Sequence, residues 1–467
     1  MTKCITPRSF LSLMFCVAVL LAFASTVHAQ ASEPFALGAD ISWIPEREAP
    51  PSNTRYAHNG QVRDILDILK DHGFNYIRLR LFVDPTAEVP EDVAQGLTGG
   101  WRASPYSTRG YCGLDSTIKF AQRIKAKGGF KFLLDFHYSD TWADPGKQYK
   151  PVAWRGLNLA QLADTVRAYT RRSVQAFKDN GVLPDMIQVG NEVINGMIHP
   201  EGRNFAQGGV GGWPSFARLV HAGISGVKDV DTSILIMMHT VSERNPSGWL
   251  TNLKTNLNQI ETGFGNKIDV FGISYYPRWH GNLDSLQRVL AAVVNNHSDI
   301  KISIVEYADL HREVNDLVFA LPANRRFGTF VWEPQEFDGD NSRPLFDWRN
   351  GRRETNARMA LYPEMSKDYG NDDITTATRE NSARPDLGQN QRGGFRVGHD
   401  GVIGYYSDAP GIVTVYNVQG RAVGRFDIRT PGTYDPANFL RLRSGTYIIA
   451  IKPADNSRQA FSRRIVR

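Results

Sequence analysis

Met186-Ile187-Gln188-Val189-Gly190-Asn191-Glu192 is a short apolar run that stops at a glycine and two polar residues. A strand buried on both faces reads as such a run, and its polar end marks where it leaves the sheet for a cleft. A second segment, Lys301-Ile302-Ser303-Ile304-Val305-Glu306, has the same build and again ends on a carboxylate. Around these two lie further strand-like runs at 35–42, 76–82, 131–138, 233–238, 270–275 and 328–332. Helical periodicity fills the gaps at 61–72, 115–127, 157–180, 215–228, 248–260, 283–295 and 314–321. Strand and helix alternating through this length predict an α/β fold, a (β/α)8 TIM barrel. An open doubly wound sheet is the alternative, but no Gly-rich phosphate fingerprint follows the first strand. The two carboxylates end their strands on the face where such barrels carry their active sites.

Outward from the barrel, residues 1–29 read as a signal peptide. Lys3 and Arg8 precede an apolar run at 10–24, and Val27-His28-Ala29 supplies small residues at −3 and −1. The run is short for a bilayer crossing and no other is longer, so a secreted protein (extracellular or cell-surface) without a membrane span is expected. Once residues 1–29 are removed, Cys112 is the one cysteine left, which excludes an intramolecular disulfide. The catalytic barrel is expected over 34–367. At 368–396 the composition turns to Asn, Asp, Thr, Arg and Gly, a linker. Short β-rich runs with turn signals over 397–467 then predict a small β-sandwich. The formal net charge of +6 comes from the ends. Residues 371–467 hold 14 Lys and Arg against 9 Asp and Glu, and residues 30–370 hold 38 against 39. A near-neutral central part suits a neutral glycan, and the basic tail lacks the motif or interleaved aromatics of a nucleic-acid binder.

A pair of Glu residues closing two strands of one sheet is what retaining glycoside hydrolysis requires: one protonates the leaving oxygen and the other attacks the sugar. Glu192 is the expected acid/base and must keep its proton by partial burial. Glu306 is the expected nucleophile and must stay ionised. Tyr275 is expected to donate its phenol hydrogen to Glu306, and Asn191 to hold a sugar 2-hydroxyl. Arg78 and Arg80 alternate with apolar residues on one strand, and Arg80, nearer its end, is the expected site arginine. Asp135 and His137 share a face of the next strand; no second histidine stands at ligand spacing, so no metal role is assigned. Trp142 and Trp332 belong to a loop cluster of aromatics, with Tyr149, Trp154, Tyr276, Trp279 and Trp348. Aromatic rings offer flat apolar area to the C–H faces of sugars.

These residues carry a resemblance to the arabinogalactan endo-β-1,4-galactanase family of glycoside hydrolases, over about 35–362. Its most specific piece is Asp135-Phe136-His137-Tyr138-Ser139-Asp140-Thr141-Trp142-Ala143-Asp144-Pro145-Gly146-Lys147. Gly38-Ala39-Asp40, Arg78-Leu79-Arg80, Gly190-Asn191-Glu192, Tyr275-Tyr276-Pro277, Trp279-His280-Gly281 and Trp332-Glu333-Pro334 also fit. The resemblance implies internal cleavage of β-1,4-galactan in type I arabinogalactan and pectin, with a polysaccharide as the partner; the alternatives are a barrel glycosidase that uses the same two carboxylates on another β-linked plant polysaccharide such as mannan, xylan or β-glucan, and a barrel that binds glycan without cleaving it. It implies Glu192 as proton donor, Glu306 as nucleophile, and Asp40, Asp140, Lys147 and His280 among the substrate-binding residues. No cofactor is expected; a structural calcium ion occurs in some relatives, but no compact acidic loop here assigns one. The sequence departs from the family at Tyr307-Ala308-Asp309-Leu310, where Thr-Ala-Tyr-Pro-Trp is usual, at His199 for Trp and at Arg278 for Phe. Each polar replacement removes a stacking platform, so altered subsites are expected. The tail resembles the secretion sorting modules of Bacteroidetes-type exported enzymes through Val415-Tyr416-Asn417-Val418-Gln419-Gly420 and Ser444-Gly445-Thr446-Tyr447. That resemblance implies a secretion machinery as a second partner; a carbohydrate-binding module is the alternative.

Overall fold

The computed structural model describes residues 34–88, 110–336 and 342–371, and seven strands between 395 and 466. The expected signal peptide at 1–29 and most of the expected linker at 368–396 lie outside the described residues. Eight parallel strands close a barrel: β1 Ala36–Asp40, β2 Tyr76–Leu81, β3 Lys131–Phe136, β4 Met186–Val189, β5 Leu235–Val241, β6 Val270–Ser274, β7 Lys301–Tyr307 and β8 Arg326–Trp332. Each pairs with its neighbour in sequence, and β8 returns to β1 through Ala36 opposite Gly328. Helices α1 Ile65–Asp71, α2 Leu114–Lys127, α3 Leu159–Asp179, α4 Trp213–Lys228, α5 Pro246–Ile260, α6 Leu283–Asn296 and α7 His311–Phe319 fill the crossovers.

Side-chain alternation along each strand divides the core in two. Outward residues such as Leu37, Ile77, Leu134, Ile187 and Ile236 pack under the helices in the large core. Each such aliphatic side chain, fully buried, contributes about 1.5–3 kcal/mol. Inward residues Tyr76, Leu133, Met186, Met237, Val270 and Phe330 plug the lower bore. Gly38 leaves room for that plug, because a Cβ there would stand 2.2 Å from the Phe330 ring. One layer higher the inward positions include Arg78, Asp135, Gln188 and His239, with Gly272 opposite His239 and Ser274 one inward step further up β6, and all four side chains and Ser274 are buried. The bore thus changes from apolar to ionic along the strand direction.

Most element boundaries shift by one to three residues from the sequence reading, and two shifts change where side chains go. The helix expected at 61–72 begins only at Ile65, because Asp64 caps it by accepting from the Leu66 N–H at 2.9 Å. Residues Gln61–Arg63 instead form a strand beside Tyr56–His58, which leaves Val62 exposed. The fifth strand runs on to Val241, which carries His239 into the bore.

In the tail, Ala422–Ile428, Gly411–Asn417, Thr446–Pro453 and Phe461–Val466 form a four-stranded antiparallel sheet in that spatial order. Phe395–Val397, Ile403–Tyr405 and Gly432–Tyr434 form a three-stranded one. Val413 and Val415 are buried while Val423 is exposed. No described helix is long and apolar enough to cross a membrane.

Candidate active site

A cleft of about 530 Å³ opens at the C-terminal ends of the barrel strands, with Glu192 and Glu306 in its wall. Glu192 follows β4 directly. The chain turns there through Gly190 at φ +85°, where a Cβ would press Val193 at 2.7 Å. Glu192 itself sits in the left-handed region at φ 47° and ψ 46°. Such a conformation costs a non-glycine residue about 1–3 kcal/mol and persists where the surrounding fold enforces it. Glu306 lies within β7, and the register of β6 slips between Gly272 and Ser274, which sets Ser274 opposite Glu306.

The two carboxylates are near neighbours in unlike surroundings. One oxygen of each, together with a nitrogen of His239, falls within 4.8 Å of the others. Glu192 is held well above the ordinary carboxylate range, first by burial and next by the Glu306 charge. Burial pushes Glu306 up as well, but the Arg78 charge and the Tyr276 hydrogen bond oppose it. Glu306 Oε1 accepts from Tyr276 Oη at 2.7 Å, and Oε2 lies 3.3 Å from Arg78 Nη1. When two coupled carboxyl groups compete, the one facing the cation and the phenol ionises first. The pair therefore splits into a proton holder, Glu192, and a carboxylate, Glu306.

Arg78 is the hub. Its Nη1 also reaches Asp40 Oδ2 at 2.9 Å, and its Nη2 reaches Asp135 Oδ2 and Asn191 Oδ1, each at 2.8 Å. Burial would push Asp135 up, yet Arg78 and His137 hold it below the ordinary range. A planar five-donor fork can serve this many acceptors where an ammonium cannot.

Most of the expected site residues line the cleft, but three change place or role. Asp40, Arg80, His137, Trp142, Lys147, Asn191, His280 and Trp332 line it as expected, and Asp135 lies just beneath. Tyr275 does not donate to Glu306: its hydroxyl goes to the Gly281 carbonyl at 3.0 Å, and Tyr276 takes the assigned role. Alternation explains this, since Val270, Gly272, Ser274 and Tyr276 share the inward side and Tyr275 falls opposite. Arg80 is not the partner of Glu306. It pairs with Glu333 at 2.7 Å, and its guanidinium lies 5.1 Å from both the Trp43 and Trp142 ring centres. Asp140 does not line the cleft. It accepts from the Asp84 N–H at 2.9 Å and the Val152 N–H at 2.8 Å, stapling two loops, and burial pushes it up to about 6.

Smaller features complete the site. Asn191 donates one amide hydrogen to the Ala143 carbonyl at 2.7 Å. His137 accepts from the Ala143 N–H at 2.8 Å on Nδ1 and faces Asp135 with Nε2 at 3.0 Å. His280 accepts from the Tyr276 N–H at 3.0 Å, and burial holds it neutral. Lys147 pairs with Asp144 at 2.9 Å on the cleft wall. Trp332 and Trp142 each meet Trp43 edge to face, at 5.5 and 5.9 Å between ring centres. Trp154 packs in the core on Tyr169, and Trp348 is exposed beneath the Arg353 guanidinium. Of the altered family positions, His199 bonds the Asn195 carbonyl outside the cleft lining, and Arg278 is exposed.

The sequence reading missed Trp43, Gln188, His239, Ser274 and Glu333. Trp43 follows β1 within three residues and could have been found by its place after a barrel strand. Glu333 is buried beside Arg80 and pushed up to about 8, chiefly by that burial. Glu192, His239 and Glu306 are the one group of three His, Cys, Asp or Glu side chains in mutual metal-ligand reach among the described residues. Each already serves a hydrogen bond or a charge partner here, and the Arg78 cation stands against Glu306. Proton transfer suits this set better than cation binding.

Comparison with known proteins agrees with this geometry. The pattern described as glycosyl hydrolase family 53 matches residues 36–313. The endo-beta-1,4-galactanase of Bacillus subtilis (strain 168) is 32% identical over 275 residues, 59% of this chain and 57% of that protein. The arabinogalactan endo-beta-1,4-galactanase of Cellvibrio japonicus (strain Ueda107) is 30% identical over 297 residues, 62% of this chain and 70% of that protein. Among solved structures, the Ignisphaera aggregans GH53 catalytic domain superposes with a TM-score of 0.56 at 30% identity, covering 70% of this chain and 95% of that one. A (β/α)8 barrel with two facing glutamates at its mouth, matched in this way, is a glycoside hydrolase. More narrowly, the chain belongs to glycosyl hydrolase family 53.

Proposed function

We propose that the protein is a secreted endo-β-1,4-galactanase that cleaves the galactan of type I arabinogalactan and pectin by double displacement, with retention. The carrying observation is the Glu192–Glu306 pair, with carboxylate oxygens within 4.8 Å and opposite protonation tendencies. Retaining enzymes hold their two carboxyl groups about 5–5.5 Å apart, whereas inverting ones leave room for a water at about 6.5–9.5 Å. In the first step Glu306 bonds to the anomeric carbon while Glu192 gives its proton to the leaving oxygen. In the second, ionised Glu192 takes a proton from water, whose oxygen replaces Glu306 at that carbon. Arg78 and Tyr276 keep Glu306 ionised before attack and stabilise it as it leaves. The second amide hydrogen of Asn191 suits the sugar 2-hydroxyl, and Trp142 and Trp332 offer stacking faces.

The galactan specificity follows from the names of the relatives and from the Asp135–Lys147 loop. Export follows from residues 1–29, and a sorting or glycan-binding role for a small β-sandwich at 397–467 from the patterns in that segment. The test is reducing-sugar release from debranched galactan, with mannan, xylan and β-glucan in parallel. Fast release from galactan alone, as short oligosaccharides that keep the β configuration, supports the proposal. Release from another polymer overturns the specificity, and an inverted product overturns the mechanism.

A further inference from the structure

Arg80 is almost wholly out of water, and the mechanism above gives it no step. Two acids hold its guanidinium: Glu333 Oε1 lies 2.7 Å from Nη2, and Asp40 Oδ1 lies 3.6 Å from Nη1. Two indoles complete its surroundings, with the ring centres of Trp43 and Trp142 each 5.1 Å from the guanidinium carbon. Those indoles stand at 64° to one another, and the flat cation meets both at once. Trp43 is the shared neighbour. It also meets Trp332 at 62°, carries the Arg47 guanidinium 5.3 Å from its ring centre, and donates its backbone N–H to Glu333 Oε1 at 3.3 Å. Glu333 directly follows Trp332 and sits in the left-handed region at φ 39°, which a residue with a side chain keeps only where the fold enforces it. Its own N–H donates to the Asp40 carbonyl at 2.9 Å. The ends of β1, β2 and β8 thus meet on one buried arginine, and the three indoles joined through it are half-exposed in the cleft wall.

We propose that Arg80 and Trp43 are positioning residues of the sugar-stacking surface: Arg80 sets the tilt of Trp142 directly and that of Trp332 through Trp43. This rests on the reading of Trp142 and Trp332 as the faces that receive sugar. A side chain that settles against a ligand loses rotamer freedom, and a ring already braced has less to lose. The brace is a cation against ring faces, an attraction that gains strength where the cation is out of water, as Arg80 is. A lysine ammonium is compact and strongly hydrated and has no flat face to set against two rings. Arg80 makes no contact with Glu192 or Glu306 among its ion pairs, so its contribution falls on the binding of sugar rather than on proton transfer. It belongs in KM more than in kcat.

The test uses Arg80→Lys and Glu333→Asp, which shortens the acid that holds the guanidinium, each made in the wild type and in Trp142→Ala. On the polysaccharide hydrolysed fastest, Arg80→Lys is expected to raise KM about 5-fold, with kcat within about 2-fold of wild type. Glu333→Asp is expected to act the same way by a smaller factor. In the Trp142→Ala background either change is expected to add less than about 2-fold, because residues that act through a shared partner are not additive. Near-ultraviolet circular dichroism, which reports the mutual setting of close indole rings, is expected to change in Arg80→Lys. Thermal unfolding identifies which variants fold, and either folded variant decides the matter. A KM and a near-ultraviolet spectrum that match wild type overturn the inference, since a merely structural role lowers only the melting temperature. A KM increase that persists in full in the Trp142→Ala background also overturns it, because Arg80 then acts on the sugar itself. If Trp142→Ala alone leaves KM at the wild-type value, the reading of Trp142 as a sugar face fails first and the inference falls with it.

Discussion

The Tyr276 hydroxyl donates to Glu306 Oε1 at 2.7 Å, while Arg78 approaches the other oxygen of the same carboxylate at 3.3 Å. Each contact favours the charged form of a buried group. Tyr276→Phe is therefore expected to raise the proton affinity of Glu306 and move the acid limb of the pH–rate profile upward. A loss in kcat of about 10²-fold goes with it, comparable to removing one donor from a developing charge. Tyr275→Phe is the internal control: its hydroxyl serves a loop carbonyl, so its profile is expected to overlay that of wild type. Stopped assays from pH 4 to pH 9 on both variants test this.

Arg78 and Arg80 are two residues apart, equally buried, and separable by function. Arg78→Lys leaves several buried acceptors short of donors, and breaking such a cluster costs about 3–5 kcal/mol. Urea unfolding is expected to show that loss together with at least a hundredfold fall in kcat, estimated from roughly 3 kcal/mol of lost charge stabilisation. Arg80→Lys is expected to lose stability through Glu333 and its two indole neighbours, but to retain far more activity because Arg80 touches neither glutamate of the pair.

The raised proton affinity of Glu192 is a statement about stability. Between its unfolded value of 4.5 and its higher folded value, the native state binds more protons than the unfolded one. Stability from this group is complete below pH 4.5 and declines as pH climbs through the folded value. Glu192→Gln has no charge to desolvate and nothing to repel Glu306. Its melting temperature is expected to exceed that of wild type at pH 8 and to match it at pH 4, while galactan hydrolysis is lost. Equal melting curves at pH 8 would refute the raised affinity.

Trp332 is half-buried against Trp43 beside the carboxylates, whereas Trp279 is 57% exposed at the cleft edge. An aromatic contact contributes about 0.5–1.5 kcal/mol, roughly 2- to 12-fold in affinity. Trp279→Ala is expected to raise KM on polymer by that factor with kcat unchanged. Trp332→Ala is expected to lower kcat as well, since it disturbs the sugar ring under attack.

The barrel and the two glutamates that face each other at its mouth were legible because both are local signals: a buried run that ends on a glutamate needs no knowledge of distant residues. Side-chain parity was legible too, and counting inward from Val270 would have selected Tyr276 over Tyr275. The choice between Arg78 and Arg80 was not, because it depends on which layer of the bore faces β7, set by strand stagger across the barrel. Asp140 misled because its motif says where the loop lies but not which way the carboxylate turns. His239 was hidden because its strand runs further than the apolar run 233–238 suggests. Only with Leu235–Val241 extended does its ring enter the bore.

The layered bore has a further consequence, for ionic strength. Its cations and anions meet one another directly, with Arg78 and Asp135 almost wholly out of water. Dissolved ions screen exposed charges beyond about 8 Å at physiological salt but scarcely enter such a cluster. A neutral chain settling over these pairs displaces water and few counterions. Turnover on galactan is therefore expected to hold nearly level as sodium chloride is raised from dilute buffer to brackish strength.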